Sequence, residues 1–483
     1  MADFKIPFLV LRVLQVLEEK GFQAYVVGGA VRDILMKKTT YDWDFTTDAK
    51  PEQIQKVFPE SFYDNKFGTV GITVEDLLKQ FKSKPVKKYL EGIDPNRPFE
   101  ITTFRSEQSY TDRRHPDKVF WGKTLKEDLC RRDFTVNAMA LEMQNVKLKN
   151  KNGPPATSCV ALQAGNLKSK IIDPYHGQQD LKAKLIRCVG DPNERFSEDG
   201  LRMMRALRLA AELGFTIEEK TLKAINKNSV LINQISSERI RDELIKLLKS
   251  DFPSDGIKLM DNSGLLQQVM PELIQTKGIE QAGHHTKDVW NHSLDSMAGC
   301  PSDDPIIRLA SLLHDVGKPI AQRIKEGKIT FYGHEVVGAR LVKKIADRLK
   351  FAKKDKELLW LLVRYHMFAY DPKMTDKAIR RFINRIAKEN INAMMMLRIG
   401  DRKGGGSKAT SWRLRELQER VGKLMYTPLQ LTDLKVDGND IIKVLAIKPG
   451  PKVGKVLEKL FDEVMEDDKK NTRNYLLKRI KEI

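Results

Sequence analysis

The stretch Ala24-Tyr-Val-Val-Gly-Gly-Ala-Val-Arg-Asp33 constrains the fold most, because an apolar run breaks on two glycines and resumes with helical spacing. Glycine lets backbone amides approach an anion closely, and a helix start adds unpaired N–H groups. Asp42 and Asp44 follow on a predicted strand, where residues two apart share a face, so both carboxylates can bind hard divalent cations. The pattern predicts a phosphate-binding turn beside a metal site, as in two-metal nucleotidyl or phosphoryl transfer. An ordinary tight turn followed by a solvated Asp-x-Asp face is the structural alternative.

Length and charge limit the class of protein. A chain of 483 residues is too long for one ordinary core, so three or more domains are expected. The formal charge of +20 and a pI near 9.5 indicate a polyanionic partner. Nucleic acid is the leading candidate, and an anionic membrane surface is the weaker one.

Cysteine spacing and the N-terminal segment bear on location. The four cysteines, at positions 130, 159, 188 and 300, form no C-x-x-C pair, which argues against a disulfide scaffold or a thiolate zinc site and fits a reducing cytoplasm. The apolar run Phe8 to Leu17 is interrupted by Arg12 and Gln15. It predicts an amphipathic helix and neither a signal peptide nor a membrane span.

Residue patterns divide the chain into a mixed head and a helical remainder. Up to about residue 145 they predict helices at 7–20, 30–36 and 51–57 and strands at 23–28, 42–47, 61–64, 69–74 and 99–105. Beyond about 178 the pattern is helical, so the boundary falls between 145 and 178. A Lys-rich piece from Glu75 to Pro98 is interpreted as an insertion, and the polar segment 106–126 as a mobile loop.

Two further motifs in the head carry charged residues. Glu100 lies on an alternating strand and is a candidate third carboxylate for Asp42 and Asp44; a surface glutamate is the alternative. In Leu129 to Ala140, two arginines and an aspartate are predicted at a helix start. Arg131 or Arg132 is a candidate triphosphate ligand, and Asp133 a helix cap or an orienting partner for an arginine.

A helix predicted within 198–214 places acidic and basic side chains on one row. Asp199, Arg202, Arg205 and Arg208 recur every three residues, opposite an apolar stripe. A carboxylate accepts from an exocyclic amine and a guanidinium donates to ring acceptors, so an Asp–Arg pair fits cytosine and adenine but opposes uracil and guanine. A solvated face with i, i+3 ion pairs is the alternative.

The segments 24–44, 99–105, 129–140, 172–181 and 195–215 together resemble the motifs of the class II tRNA nucleotidyltransferase and bacterial poly(A) polymerase family. The resemblance implies an α+β protein with a small polymerase-β-like head and a mostly all-α remainder. It also implies that Asp42 and Asp44 bind Mg²⁺, with Glu100 as the candidate third carboxylate. The implied nucleotide-binding residues are Gly28, Gly29, Arg32, Arg131, Arg132, Asp199, Arg202, Arg205 and Arg208. The segment 106–126, with Asp112-Arg113-Arg114, resembles the element that enables the switch to ATP addition.

The second half contains six of the eight histidines, between positions 284 and 366. Imidazole and carboxylate side chains on several helices suit a mono- or binuclear divalent metal site. The residues His292, His314, Asp315 and Asp401 resemble the H…HD…D pattern of the HD superfamily of metal-dependent phosphohydrolases, and His334 and His366 match the extra ligands of its binuclear members. A retained structural module is the alternative to an active phosphohydrolase.

The resemblances imply five domains and one leading function. The domains are a head at 1–145, a neck at 146–235, body helices at 236–283, an HD domain at 284–405 and an RNA-binding helical tail at 406–483. The implied function is template-independent addition of CCA to tRNA from CTP and ATP, with no membrane partner. The alternatives are an A-adding enzyme or poly(A) polymerase, and an HD phosphohydrolase with an RNA-binding head. The oligomeric state and the HD-site metal stay open.

Overall fold

The computed structural model describes residues 6–63, 68–81, 90–108, 118–122, 124–144, 168–280, 288–325, 328–425 and 430–483. The chain folds into two compact units, Met1–Gln268 and Val269–Ile483. The first contains a mixed sheet with helices and the second is almost entirely helical, which confirms the predicted α+β class. The five predicted domain boundaries remain predictions.

A seven-stranded sheet forms the head, in the order β3-β4-β5-β2-β1-β8-β9. The strands of the first unit are β1 (Ala24–Val27), β2 (Asp44–Thr47), β3 (Phe62–Tyr63), β4 (Thr69–Ile72), β5 (Phe99–Thr103), β6 (Arg105–Gln108), β7 (Lys118–Trp121), β8 (Ala140–Gln144), β9 (Lys168–Ile172), β10 (Leu185–Ile186) and β11 (Thr216–Ile217). β2 and β5 run parallel, and the other pairs within this sheet are antiparallel. All the strands predicted in the head are present, with ends that differ by a few residues.

The first unit also contains helices, some of which pack against the sheet. They are α1 (Phe8–Glu19), α2 (Gly29–Leu35), α3 (Pro51–Val57), α4 (Val74–Gln80), α5 (Leu125–Cys130), α6 (Gly177–Ala183), α7 (Pro192–Glu198), α8 (Leu201–Leu213), α9 (Glu219–Asn228), α10 (Ser237–Lys249), α11 (Pro253–Asn262) and α12 (Leu265–Val269). α1 packs against β1, and α3 against β4 and β5. Phe45 and Ile101 are buried in the resulting core. Since successive side chains on a strand alternate, Asp44 and Glu100, one residue earlier on each strand, lie on the opposite face.

Two segments differ from their predicted form. The piece 75–98, interpreted as an insertion, begins with a packed helix: α4 occupies Val74–Gln80 and buries Leu77 and Leu78 in the head core. The segment 106–126 is not wholly a loop: β6 pairs antiparallel with β7, and α5 begins at Leu125. β6 is polar throughout and β7 is Lys-Val-Phe-Trp, so neither shows the apolar–polar alternation that predicts a strand. Asp112-Arg113-Arg114 lies outside the described residues.

The second unit consists of helices and one short hairpin. Its elements are α13 (Pro271–Ile274), α14 (Val289–Gly299), α15 (Pro305–Leu313), α16 (Lys318–Ala321), β12 (Arg323–Lys325), β13 (Lys328–Thr330), α17 (His334–Arg348), α18 (Lys353–Tyr365), α19 (Asp376–Ile386), α20 (Ile391–Gly404), α21 (Trp412–Leu424), α22 (Gly438–Leu445), α23 (Pro451–Glu466) and α24 (Arg473–Glu482). α14 packs along α20 and α15, and α17 along α18. Within the described part of the chain, none of the helices combines the length and the apolar character needed to cross a bilayer.

Candidate functional site

The turn between β1 and α2 brings the backbone against two charged side chains. Gly28 has φ +76°, and a Cβ there would lie 3.1 Å from Asp44 Oδ2 and 3.2 Å from Arg132 Nη1. Any larger residue would be strained and would displace one of these groups. Arg32, on α2, donates from Nη1 to Asn137 Oδ1 at 2.9 Å and from Nε to Asp33 Oδ1 at 2.8 Å.

The sheet register aligns two of the three predicted metal ligands. Asp44 lies directly opposite Glu100 in the parallel β2–β5 pair, so their side chains are neighbours on one face. Asp42 was predicted on the same strand, and this is wrong: β2 begins at Asp44, whose partner Val27 is the last residue of β1 before the turn at Gly28. Residue 42 therefore has no strand beside it. Asp42 is half exposed and pairs with Arg97, with 3.0 Å between Oδ2 and Nη2.

Asp44 is repelled by the neighbouring carboxylates of Asp42 and Glu100. Burial raises the pKa of Asp44, and the charge of Asp42 and then Glu100 raises it further, while Arg132 opposes them; the result is about 7. A divalent cation bound between these oxygens would offset the repulsion. The residues present therefore fit a hard divalent metal.

Arg131 and Arg132 share one buried carboxylate. They were predicted at a helix start, but α5 ends at Cys130 and both follow it. Arg131 donates to Asp128 Oδ1 from Nη2 at 2.7 Å and from Nε at 2.9 Å, and Arg132 Nη2 donates to Oδ2 at 3.3 Å. Burial favours a higher pKa for Asp128, but the two guanidinium groups outweigh it and lower the pKa. Asp128 thus orients both arginines, a role that its sequence position on the apolar side of α5 concealed.

Asp133 reaches the neck helix instead of capping a helix. Its Oδ2 accepts from Nε of Arg205 at 2.7 Å, and its Oδ1 from the backbone N–H of Phe134 at 2.9 Å. Burial favours a higher pKa for Asp133, but the charge of Arg205 lowers it to about 2. This pair ties the head to α8.

The predicted recognition row is split by the end of a helix. Asp199 lies between α7 and α8 with φ −147°, while Arg202, Arg205 and Arg208 are on α8. The predicted apolar stripe is confirmed as buried: Leu201, Met204, Leu207, Ala210 and Ala211. Arg208 pairs with Glu243 and Glu212, each at 2.7 Å, on the side toward α10.

These side chains surround a cleft of about 380 Å³. Of the predicted residues, those lining it are Gly28, Gly29, Asp44, Glu100, Arg131, Arg132, Asp199, Arg202 and Arg205. Asp42, Arg32 and Arg208 are not among the residues that line it. Residues not predicted as ligands also line it: Phe45, Thr69, Thr102, Arg105, Asp133, Asn137 and Arg239. No local motif marks Arg239, whose helix was assigned to the body.

A second candidate site lies within the second unit. His292 is on α14, the pair His314-Asp315 follows α15, His334 begins α17, His366 ends α18 and Asp401 is on α20. The structure brings all six predicted ligands together. Their ligand atoms form two groups, His292 with His314 and Asp401, and Asp315 with His334 and His366, and within each group the atoms lie within 4.8 Å of one another.

Asp315 connects the two groups. Its Oδ2 is 3.2 Å from Nε2 of His314, and its Oδ1 is 3.2 Å from Nε2 of His334. Lys318 donates to Oδ2 at 2.6 Å. Asp315 Oδ1 is buried and receives no directed hydrogen bond from the described residues. Asp315 would therefore be among the residues that hold a divalent metal here.

The imidazoles are oriented for metal binding. Nδ1 of His314, His334 and His366 lies 2.8 Å from a backbone carbonyl three residues earlier, and since a carbonyl only accepts, each Nδ1 carries the proton. The neutral ring then presents the Nε2 lone pair to the cluster. Burial lowers the pKa of His314, but Asp315 and Asp401 raise it to about 10, so a metal binding here would displace a proton.

Comparisons with known proteins match families to both halves of the chain. Residues 24–154 match the poly A polymerase head domain, 214–276 the probable RNA and SrmB-binding site of polymerase A, 283–398 the HD domain and 342–480 a tRNA nucleotidyltransferase domain 2. The CCA-adding enzyme of Limosilactobacillus reuteri (strain DSM 20016) is 31% identical over 478 residues, covering 98% of this chain and 95% of that protein.

Solved structures show the same fold. The Bacillus stearothermophilus CCA-adding enzyme in complex with CTP has a TM-score of 0.69 and 25% identity, covering 99% of this chain and 98% of that one. The Thermotoga maritima CCA-adding enzyme complexed with tRNA has a TM-score of 0.54 and 18% identity, covering 98% and 94% of the two chains, and bears on the fold alone.

Proposed function

The chain belongs to the family of CCA-adding enzymes, and from that premise we propose that it adds CCA to the 3′ end of tRNA, using CTP and ATP. The observation that carries the proposal is the head cleft, where Asp44 and Glu100 lie on one sheet face and Asp199 and Arg202 line the same space. Metal-type carboxylates and a base-reading pair in one cleft are what template-independent nucleotide addition requires.

We propose that Asp42, Asp44 and Glu100 hold Mg²⁺. Bound there, the metal would polarise the α-phosphate and stabilise the attacking and leaving oxygens. Arg131 and Arg132, held by Asp128, bind the triphosphate, and Gly28 and Gly29 leave room for it against the sheet. Arg32 supports this wall through Asn137, which lines the cleft.

Base selection is assigned to the neck. Asp199 accepts from the exocyclic amine shared by cytosine and adenine, and Arg202 donates to the neighbouring ring acceptor. Arg205, held by Asp133, closes the side between head and neck. Arg208 does not reach the base and instead joins α8 to α10 through Glu243.

The unbridged Cys130, Cys188 and Cys300 support a reducing, cytoplasmic location.

The test of this function uses three tRNA substrates. One lacks the whole CCA end, one lacks its last two nucleotides and one lacks only the terminal adenosine; each is incubated with labelled CTP or ATP and the product length is read. Full CCA addition predicts extension of all three. Extension of the last alone would instead identify an A-adding enzyme, and long tails on unrelated RNA a poly(A) polymerase.

A specific observation favours a second activity, a divalent-metal phosphohydrolase in the HD domain. The six ligands converge with Nε2 lone pairs and a bridging carboxylate, and a cleft of about 750 Å³ beside them includes Lys318 and Arg402. Basic side chains beside a cluster of metal-type ligands suit a phosphate ester substrate. Metal analysis and a phosphodiester assay on wild type, His314→Ala and Asp315→Ala test this; equal background hydrolysis in all three would leave a structural module.

A further inference from the structure

We propose that Arg239 is a positioning residue for nucleobase selection, acting through Asp199. The inference rests on the proposed addition of C and A to tRNA. Arg239 lies on α10, outside the head and the neck motif, yet its side chain lines the head cleft beside Asp199. It contributes no sequence signal of its own and was not among the predicted nucleotide ligands.

The contact between the Arg239 and Asp199 side chains is a bidentate ion pair. Nη2 of Arg239 donates to Oδ2 of Asp199 at 2.7 Å, and Nη1 to Oδ1 at 3.3 Å. Oδ1 also accepts from the backbone N–H of Leu201 at 3.0 Å. A carboxylate offers about four lone-pair positions, so with three of them occupied the remaining acceptor position is on Oδ2.

This arrangement matters because Asp199 is not held by helix geometry. It occupies an extended conformation between α7 and α8, where the backbone N–H of Leu201 holds Oδ1 and the guanidinium of Arg239 holds Oδ2. Its side chain is 14% exposed, so it still reaches the cleft. Arg239 is therefore the side chain that orients Oδ2, the oxygen with the remaining acceptor position.

A fixed acceptor is what distinguishes the bases. Cytosine and adenine offer an exocyclic amine, whereas uracil and guanine offer a carbonyl at the corresponding edge. Arg202, the donor that we pair with Asp199 for base selection, is already oriented. It binds Glu198 and donates to the Arg195 carbonyl at 3.2 Å. If Arg239 were removed, the carboxylate could turn away and water could fill its place, which would admit a carbonyl edge.

The packing of α10 does not depend on this ion pair. Glu243, on the same helix, accepts from Arg208 of α8 at 2.7 Å, and Leu244, Leu247 and Leu248 are fully buried. A substitution at Arg239 should therefore change the orientation of Asp199 and leave the helix in place.

The test measures kcat/KM for CTP, ATP, UTP and GTP on tRNA lacking CCA, in wild type, Arg239→Ala, Arg239→Lys and Arg241→Ala. Loss of one well-placed polar contact to a base typically costs about ten- to a hundredfold in discrimination. We expect Arg239→Ala to lower the CTP:UTP and ATP:GTP ratios by about that factor. Arg239→Lys should recover part of it, since an ammonium cannot donate as a fork.

Arg241→Ala is the matched control. Arg241 is on the same helix and pairs with Asp242 at 2.8 Å, and we expect its substitution to leave all ratios unchanged. Equal losses for all four nucleotides in Arg239→Ala, with the ratios of wild type, would overturn the inference and indicate a merely structural pair. If Arg239→Ala does not fold, Arg239→Lys and Arg239→Gln give the same comparison. A wild type that adds neither C nor A would instead refute the proposed function itself.

Discussion

The two candidate sites, the head cleft and the HD cluster, are organised in opposite ways. In the HD cluster six ligands converge on one another from five helices, and all except Asp401 are buried. In the head cleft Arg131 and Arg205 are each bound to a carboxylate, while Asp42 is half exposed and pairs with Arg97 outside the sheet. The proposed HD ligands are thus already gathered in one buried cluster, whereas of the three head carboxylates only Asp44 and Glu100 share a sheet face.

This difference follows from what each site has to do. A cleft that must exchange CTP for ATP needs oriented donors and an accessible metal face, since substrate phosphates supply further ligands to Mg²⁺. A cluster of buried imidazoles and carboxylates is costly to bury unless a cation satisfies it. The contrast can be tested at each site separately.

The largest effect is expected from Asp44→Asn, which keeps the shape and removes the charge of the carboxylate. Loss of a metal ligand removes several kcal/mol of transition-state stabilisation, so incorporation should fall on the order of a thousandfold. Metal content in the HD cluster should not change. Asp48→Asn, at an acid that accepts from the Gln23 backbone N–H at 2.8 Å, is the control. Activity retained in Asp44→Asn would refute the metal role.

Asp128→Asn should loosen both triphosphate arginines at once. Breaking a buried pair leaves charges uncompensated, at a cost of about 3–5 kcal/mol in the free energy of unfolding. We expect KM for CTP and ATP to rise together, without a change in the preference between them. Urea unfolding and initial-rate kinetics check this, with Glu127→Gln, the exposed neighbour on α5, as the control. A change in the CTP:ATP ratio would contradict a role confined to the triphosphate.

Metal removal should lower the unfolding temperature of one unit and leave that of the other unchanged. A ligand present at a hundred times its Kd stabilises the folded state by about 2.7 kcal/mol, so chelation should lower the unfolding temperature of Val269–Ile483. The transition of Met1–Gln268 should not move. Differential scanning calorimetry with and without chelator measures both. In His314→Ala, which lacks one ligand, chelation should lower the unfolding temperature less than in wild type. A lowered unfolding temperature in the first unit alone would contradict a resident metal in the HD cluster.

The smallest effect concerns pH. The pKa of Asp133 is lowered from 3.8 to about 2, so its pair with Arg205 contributes stability above the unfolded pKa and loses it as pH falls through the folded one. A shift of this size corresponds to about 2 kcal/mol. The stability difference between wild type and Asp133→Asn should therefore be constant from about pH 8 to 5 and shrink below about pH 4. A difference that varied between pH 6 and 8 would contradict this assignment.

The head could be predicted well where the pattern was local. The strands around the glycine turn, the opposing row on α8 and its buried stripe all follow from periods of 2 and 3.6 residues. Predictions failed where a neighbouring element decided the outcome. Residue 42 lies outside β2 because β1 ends at Val27, and Arg105–Gln108 forms a strand because Lys118–Trp121 pairs with it.

By itself the sequence determined the chemistry of this protein: which residue types are present, that two glycines precede a carboxylate pair, and that histidines and aspartates recur in the second half. Only the tertiary structure decided the partnerships. Asp315 joins two ligand groups, Asp133 accepts from Arg205 and Arg239 holds Asp199. These contacts join residues on different elements, up to dozens of positions apart. Periodicity reports only which face of one element is apolar, and the packing of several elements determines which charges meet.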